Sequence, residues 1–259
     1  EQSKNVIYTG QEATQQILAG LDWIAKEKKA KTFYLVGSDY IWPRTSMKIA
    51  RKHIETVLKG QVVGEDYYPL GNTQFGSLIN KMKLKKADVI FSAVVGGSNV
   101  AFYKQLKAAG VTADKQTLLT LSVTEDEMLG IGGENVEGFY ASMKYFQSLD
   151  NPNNKKFVAD FKAKYGPGAV VGDVTQAAYL GPWLWKAAVE KAGSFDVDKV
   201  VAASKDIELK IAPEGYVKVH PNHHLWSKTR IGQAQKDGQF KVVYESGLIE
   251  PNPFPKGYQ

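Results

Sequence analysis

TFYLVGSDYIWPRTS, residues 32–46, changes character in its middle. Its first five residues are aromatic, aliphatic or β-branched, as in a buried strand, and this run stops at Gly37. Polar and aromatic side chains then crowd together, and Pro43 suits the first turn of a helix, where its missing N–H costs nothing. The stretch therefore predicts a strand, a tight turn and a helix, with two large aromatic rings in the turn.

The same alternation continues on both sides of this stretch. Short β-rich runs are separated by segments with helical spacing, which is typical of a parallel sheet covered on both faces. We therefore predict an α/β fold with Rossmann-like parallel sheets. The predicted strands are 5–9, 32–36, 62–70, 88–95, 117–123 and 136–143, and the predicted helices between them are 11–29, 43–58, 74–83 and 99–109.

The pattern changes after about residue 150. Three helices are predicted at 154–165, 174–192 and 197–204, and the second is apolar enough to suggest burial. A hairpin follows at 230–245, with Asp237-Gly238 at its turn. These helices, with the first predicted strand and helix and the strand near Phe139, do not fit one sheet domain, so a second unit is expected.

Composition excludes several classes of protein. The 259 residues are 43% hydrophobic and include no cysteine, so a sizeable core is possible while disulfides and cysteine-bound metals are excluded. The net charge of +6 comes from lysines on predicted helix faces, and we interpret these as solvated rather than as a nucleic-acid surface. No segment reaches the ~20 apolar residues of a membrane span, so direct membrane insertion is not expected. Without a recognisable signal peptide, the chain is expected to be mature, cytosolic or a fragment.

Ligands of open parallel sheets bind beyond the carboxyl ends of the strands. At the first such end, Ser38 and Asp39 are candidates to cap the next helix, while Tyr40 and Trp42 offer flat faces with hydrogen-bonding tips. The alternative is a helix cap whose aromatic neighbours pack on a surface loop. We favour a ligand here, because two large rings at a strand end are unusual as plain surface.

Two further strand ends carry suitable groups. In VVGGSN (94–99), Val95 and Gly96 offer backbone to a ligand, or simply a tight turn, and the motif lacks the spacing of a nucleotide-binding loop. In LSVTEDE (121–127), Thr124 and Glu127 fit a capping box, which leaves Ser122 free to face a cleft.

The sequence gives little support for a metal site or for an enzyme active site. HPNHH (220–224) is better interpreted as a turn around Asn222-His223 than as a zinc site, and His53 is expected on a solvated helix face. No G-x-S-x-G motif and no convincing carboxylate pair is present, so neither enzymatic activity nor a cofactor is expected. A binding function is favoured.

Several motifs in order give the sequence a family resemblance. They are NVIYTGQEATQQI, FYLVGSDYIWPR, ADVIFSAVVGGSNVAFYKQL, TLSVTEDE, VEGFYASMKYFQSLD, TQAAYLGPWLWKAA and APEGYVKVHPNHHLW, which together reach across the chain. The sequence resembles type I periplasmic binding proteins, in the branch that binds urea and short-chain amides. The resemblance implies two α/β lobes with ligand between them. It would place 32–130 and 208–259 in lobe two and 1–31 and 131–207 in a lobe one that is incomplete at its N-terminus.

The resemblance also implies a ligand and a site. Tyr40 would stack on a flat urea or amide, Trp42 and Pro43 would wall the pocket, and Ser122 would lie where the amide sensor has a pocket threonine. The implied partner is an ABC permease, and the implied location is periplasmic or extracellular, with a lipid anchor as one option. The alternatives are a cytosolic amide sensor controlling amidase expression, a branched-chain amino acid binding protein and, from another class, an amide-hydrolysing enzyme.

Overall fold

Strand β1 (Thr32–Ser38) lies at the centre of the fold, and a computed structural model describes residues 3–258 around it. The outermost positions of the predicted ranges 1–31 and 208–259 thus lie outside the described residues. β1 is buried along almost its whole length because it has a parallel neighbour on each side, β2 (Gln61–Tyr68) and β3 (Val89–Ala93). The predicted parallel α/β sheet is confirmed.

The sheet contains five further strands, which are β4 (Thr117–Thr120), β5 (Tyr140–Met143), β6 (Lys218–Val219), β7 (Leu225–Ala234) and β8 (Phe240–Ile249). The strand order is β2-β1-β3-β4-β5-β7-β6, with β8 paired to β7. The first five strands in this order are parallel, and β7 runs antiparallel to β5.

The helices lie close to their predicted positions. They are α1 (Ala19–Lys28), preceded by a π-helical turn (Thr14–Leu18), α2 (Ile41–Thr56), α3 (Gly76–Lys85), α4 (Ser98–Ala108), α5 (Glu125–Ile131), α6 (Pro152–Tyr165), α7 (Asp173–Ala192) and α8 (Val197–Ser204). Among residues 3–258, none of these helices has the combined length and apolar character that crossing a membrane requires.

Both faces of the sheet are covered. Tyr34, Ile90 and Phe102 belong to one buried cluster on the α3–α4 side, and Leu35 and Phe91 belong to the cluster on the other side, with α1 and α2. Alternate residues of β1 therefore enter opposite clusters, as the two-residue period of a strand requires. A two-sided core of this kind holds the carboxyl ends of the strands in fixed register.

The strand predicted at 5–9 is wrong. These residues are irregular, and Tyr8 N donates to His223 O at 2.9 Å as part of a segment that passes beside β7. Within the described part of the chain this segment has no strand neighbour, and a strand needs one to satisfy its backbone groups.

The expectation of a buried α7 holds for only one of its faces. Leu180 and Leu184 are buried, whereas Trp185 is 55% exposed and Val174 is 73% exposed. The described aromatic neighbour of Trp185 is Phe195, whose ring centroid lies 6.1 Å away, and Phe195 is itself exposed, so this face stays open to solvent.

The lobe assignment drawn from the sequence differs from the sheet in three places. Helix α1 lies in the range 1–31 expected for lobe one, yet its Leu21 and Ile24 pack against the sheet. β5 lies in the range 131–207 expected for lobe one, yet it pairs with β4 through Leu119–Tyr140 and Thr120–Ala141. Leu209 and Leu225, from the range expected for lobe two, pack with α7 instead. The change of packing partner therefore occurs after β5 and near the start of β7. The lobe boundaries themselves stay a prediction.

Candidate functional site

The carboxyl ends of β1, β3 and β4 meet at one edge of the sheet, which we call the strand edge. Two side chains tie the three loops together. The Ser38 hydroxyl accepts a hydrogen bond from Val95 N at 3.0 Å, and the Ser122 hydroxyl donates to Val94 O. The structure thus brings Ser38, Val95 and Ser122 close to one another, and the adjacent Gly96 is exposed with a φ of +60°. These loops form a rigid rim.

Asp39 has a structural role that differs from the expected helix cap. Its carboxylate accepts from Arg44 Nε at 2.5 Å, and this pairing lowers the pKa of Asp39. Its backbone N–H donates to Tyr68 O at 2.6 Å. The cap position of α2 is Tyr40, without a side-chain cap, so the expectation that Ser38 or Asp39 caps this helix is wrong. The loop is closed by an ion pair and a backbone bond instead.

Two aromatic side chains, Tyr40 and Trp42, lie beside this loop. Tyr40 and Trp42 are both half-buried, with ring centroids 6.4 Å apart and planes inclined by 32°. Burial raises the pKa of Tyr40, so its hydroxyl stays protonated at neutral pH and is available as a donor. Pro43 is buried, and its Cβ lies 2.8 Å from where a side chain on Gly37 would begin, so only glycine allows this close turn.

Trp42 also lines a cavity of about 410 Å³, which we call the α2 cavity. One face of α2 forms its wall, since positions 42, 45, 46 and 49 follow the three- and four-residue spacing of a helix. The opposite wall is the segment 8–17, together with His224 and residues 253–254. The cavity lies beside the strand edge, and Gln16 in its wall donates to Leu121 O and to Ser142 O, both at 3.0 Å, at the ends of β4 and β5.

Most of the residues that line this cavity are not among those predicted from the sequence. Of the eight residues proposed for the site, only Trp42 lines it, whereas Glu12, His224 and Phe254 come from distant parts of the chain. Stacked aromatic pairs such as Tyr8 on His224, with centroids 4.5 Å apart, depend on tertiary contacts. The polar run YTGQEATQQ (8–16) was the one available signal, because its three glutamines and one glutamate are costly to bury unless they form hydrogen bonds with other parts of the chain.

The histidines do not form a metal centre. His220 contacts Glu250, His223 contacts Val6 O and His224 stacks on Tyr8. Within residues 3–258, no three histidine, aspartate or glutamate side chains gather as metal ligands. The predicted turn is confirmed, since His224 N donates to Asn222 Oδ1 at 3.1 Å and His223 has a φ of +69°.

The structure confirms one further local prediction and contradicts another. The capping box is confirmed, because Thr124 N donates to the Glu127 carboxylate at 2.8 Å. The solvated His53 is wrong: the ring is 4% exposed and contacts Asp22 and the Tyr258 hydroxyl, each at 2.6 Å. A polar residue on the inner face of α2 is tolerated because both ring nitrogens have partners.

Comparison with known proteins identifies relatives along the whole chain. The profile of the periplasmic binding protein domain family matches residues 1–259. Leu/Ile/Val-binding protein homolog 6 of Brucella melitensis is 27% identical over 227 residues, which is 84% of this chain and 57% of that protein. The chain therefore spans little more than half the length of this relative.

Two further matches bear on fold and chemistry. The solute binding protein of an ABC transporter from Rhodopseudomonas palustris, solved in complex with p-hydroxybenzoic acid, superposes with a TM-score of 0.83 at 27% identity, covering 98% of this chain and 69% of that one. A stretch of 116 residues is 35% identical to a protein named limonene hydroxylase from Geobacillus stearothermophilus, which is 45% of this chain and 21% of that protein. The match to the Rhodopseudomonas protein supports the two-lobed fold along nearly the whole chain.

Proposed function

The chain belongs to the periplasmic binding protein domain family, and on this premise we propose that it binds a small planar solute at the strand edge for delivery to an ABC permease. The observation that carries the proposal is the rigid rim. Three strand-end loops are joined through Ser38–Val95 and Ser122–Val94, with the half-buried Tyr40 ring beside them. A rim that is fixed before binding loses little conformational entropy when the ligand arrives.

Within this function we propose urea or a short-chain amide as the ligand. A flat amide presents donors and acceptors at its edges and a face for the Tyr40 ring, while Ser38, Ser122 and the backbone at Val95 and Gly96 offer hydrogen-bonding groups. Asp39 neutralises Arg44, the cation of this loop. A neutral solute therefore suits the strand edge better than a carboxylate does.

A second candidate is an aromatic carboxylate. The Rhodopseudomonas relative was solved with p-hydroxybenzoic acid, which is also planar. The name of the Brucella relative points to branched-chain amino acids as a third class. All three classes fit the same family, and they differ in charge and shape, so a ligand panel separates them.

The proposed mechanism is closure of two lobes around the solute. In this proposal β1–β5 and α1–α5 belong to lobe two, while the helices α6–α8 belong to lobe one, and the crossing segments lie between them. We further propose a periplasmic or extracellular location, reached without direct membrane insertion and with lipid anchoring as an option. The proposal includes neither enzymatic activity nor a cofactor. A cytosolic amide sensor would share this site and differ in location.

The test is a thermal-shift panel on the full-length protein with urea, acetamide, formamide, leucine and p-hydroxybenzoate. A ligand present at 100 times its Kd stabilises the folded state by about 2.7 kcal/mol, so a true ligand stands out from the others. Ammonia release is measured in parallel, because a hydrolase would consume urea or acetamide. A shift with leucine or p-hydroxybenzoate alone would contradict the amide assignment.

We predict that Tyr40→Ala removes the shift caused by the amide, because the stacking face is lost. The matched control is Tyr165→Ala, at a tyrosine that is 62% exposed at the end of α6. It should leave the shift unchanged. Equal affinity of wild type and Tyr40→Ala, measured by calorimetry, would exclude Tyr40 from the site.

A further inference from the structure

The α2 cavity has aromatic walls that the proposed function does not use. Tyr8 and His224 stack on one side with ring planes within 10° of each other, and Trp42 and Phe254 also line the space. Its volume of about 410 Å³ lies in the range of small-molecule sites. Aromatic faces carry negative charge density above the ring and attract cations as well as apolar groups.

The walls of the cavity carry a single formal charge, which is negative. Glu12 is the one lining residue with a formal charge, and all of the lining residues are described by the structure. Its carboxylate accepts from Thr14 N at 2.8 Å and from the Thr14 hydroxyl, and within residues 3–258 no lysine or arginine pairs with it. Burial lowers the pKa of His224 to about 4, so the imidazole is neutral at pH 7. Among residues 3–258, the cavity walls thus carry one negative charge that no described lysine or arginine pairs with.

Unpartnered polar atoms lie in the same walls. His224 is 6% exposed, and within residues 3–258 neither of its ring nitrogens has a hydrogen-bond partner; in the same range Gln11 Oε1 is also buried without one. A buried polar group left unpaired costs about 1–3 kcal/mol. The groups that would satisfy Gln11 Oε1 and the bare imidazole nitrogen are hydrogen-bond donors. A ligand with N–H or O–H groups and positive charge supplies what these walls lack.

We propose that the α2 cavity is a second binding site, which takes a small organic cation of the amine or quaternary ammonium class. The cationic head lies between the aromatic faces and the Glu12 carboxylate, and its donors reach Gln11 and His224. Carboxylates are excluded, because the one charged group of the cavity repels them. This site lies beside the strand edge and goes beyond the proposed function.

The test compares two ligands of equal shape on the full chain by titration calorimetry. Choline carries the positive charge, and 3,3-dimethyl-1-butanol is its neutral isostere. We expect choline to bind at least tenfold more tightly, with an affinity that falls as salt is added. Equal binding of the two ligands, or no binding of choline at millimolar concentration, would overturn the proposal.

Variants assign the binding to the cavity. Glu12→Gln keeps an acceptor oxygen for Thr14 and removes the charge, so choline affinity should fall at least tenfold, whereas Glu27→Gln, at an exposed carboxylate on α1, should change nothing. Phe254→Ala should also weaken choline binding, and because Phe254 is 47% exposed the fold tolerates its loss. Unchanged affinity in both cavity variants, with melting temperatures like wild type, would place the cation elsewhere.

The outcome is independent of the amide proposal. Choline binding without any amide shift supports the cavity and rejects the strand-edge assignment, and the reverse result does the opposite. Competition adds a second check, since urea should not displace choline if the two sites are separate. Full displacement of choline by urea would merge them into one site and overturn the proposal.

Discussion

The sheet region, β1–β5 with α1–α5, and the helical region, α6–α8, are built in different ways. In the sheet region both faces of the strands are covered, and residues such as Phe91 and Phe102 are fully buried. In the helical region α7 buries one face, while Trp185 is 55% exposed and Phe195 is 78% exposed. Contiguous exposed apolar patches of this kind mark surfaces that bind another protein, a membrane or a ligand. The difference lies in contiguity: Trp185, Phe195 and Val197 lie side by side in the helical region, whereas the exposed apolar residues of the sheet region, such as Ile41, Leu84 and Leu129, are on separate helices.

The two regions are joined by buried charge. Lys144 follows β5 directly, and its Nζ lies 2.8 Å from the Glu214 carboxylate, with the two side chains 1% and 3% exposed. Arg230 on β7 donates to Lys144 O and to Glu214 O and forms an ion pair with Glu245 at 2.7 Å. Asp173 at the start of α7 accepts from Tyr145 N at 2.9 Å. The junction thus depends on directional polar contacts, which fix geometry more strictly than apolar packing does.

The largest effect is expected from breaking this junction. Lys144→Met leaves the Glu214 carboxylate buried without its cation, and removing one partner of a buried pair costs about 3–5 kcal/mol. Thermal unfolding followed by circular dichroism should show a fall in melting temperature of about 10 °C or more.

The controls for this prediction separate charge from packing. Lys144→Met with Glu214→Met should recover much of the loss, because the Glu214 carboxylate no longer remains buried without its cation. Lys186→Met breaks an exposed pair with Glu190 on α7 and should cost less than about 1 kcal/mol. If Lys144→Met is as stable as wild type, the junction is not held by this pair.

The next effect depends on pH at the same junction. Glu125 is fully buried at the start of α5; one oxygen accepts from Gln147 N at 2.9 Å, and the other has no partner among residues 3–258. Burial raises the pKa of Glu125 from 4.5 to about 8, and the nearby Asp126 and Asp173 add to the rise. Burial likewise raises the pKa of Asp173 to about 6.

A raised pKa in the folded state fixes the sign of the pH effect. The folded chain binds these protons more tightly than the unfolded chain does, so the stabilisation is full below the unfolded pKa values and is lost as the pH rises through about 6 and about 8. Each pKa unit corresponds to about 1.4 kcal/mol. Melting temperature should fall between pH 5 and 8, and Glu125→Gln should flatten that fall. A Glu125→Gln profile parallel to wild type would contradict the assignment.

Much of the sheet region could be predicted from the sequence. The apolar runs at β1 and β3, the stop at Gly37 and the helical spacing of α2 and α4 depend on neighbours along the chain. Propensity and period capture such local effects. The same holds for the capping box at Thr124 and the turn at Asn222-His223.

The rest depends on contacts that local pattern does not contain. The strand expected at 5–9 would need a neighbouring strand. His53 is buried because Asp22 and Tyr258 contact both of its ring nitrogens. Asp39 pairs with Arg44 and does not cap the helix. The sequence suggested loops that could carry ligand groups, but the α2 cavity arises from four segments that are distant in the chain. Those segments meet only when the chain has folded.

A smaller effect is expected from a close backbone contact within the sheet. A Cβ on Gly232 of β7 would lie 2.5 Å from the Phe146 ring, so Gly232→Ala should lower stability by about 1–3 kcal/mol through overpacking. Gly247→Ala in β8 meets no atom within 4 Å and should leave stability unchanged or slightly raised. Denaturant midpoints measure both. Equal midpoints for the two variants would show that the Phe146 ring moves to accommodate the added methyl group without a loss of stability.

The smallest effect is expected on the uncovered face of the helical region. Phe195 is 78% exposed, with its ring centroid 6.1 Å from that of Trp185 on α7. Phe195→Ser removes a side chain that the folded chain leaves in water, so the free energy of unfolding should change by less than about 0.5 kcal/mol. Differential scanning calorimetry at two protein concentrations tests this. A loss above about 1.5 kcal/mol that grows with concentration would mean that the face is covered in solution, because a residue contributes to stability only where its apolar surface leaves water.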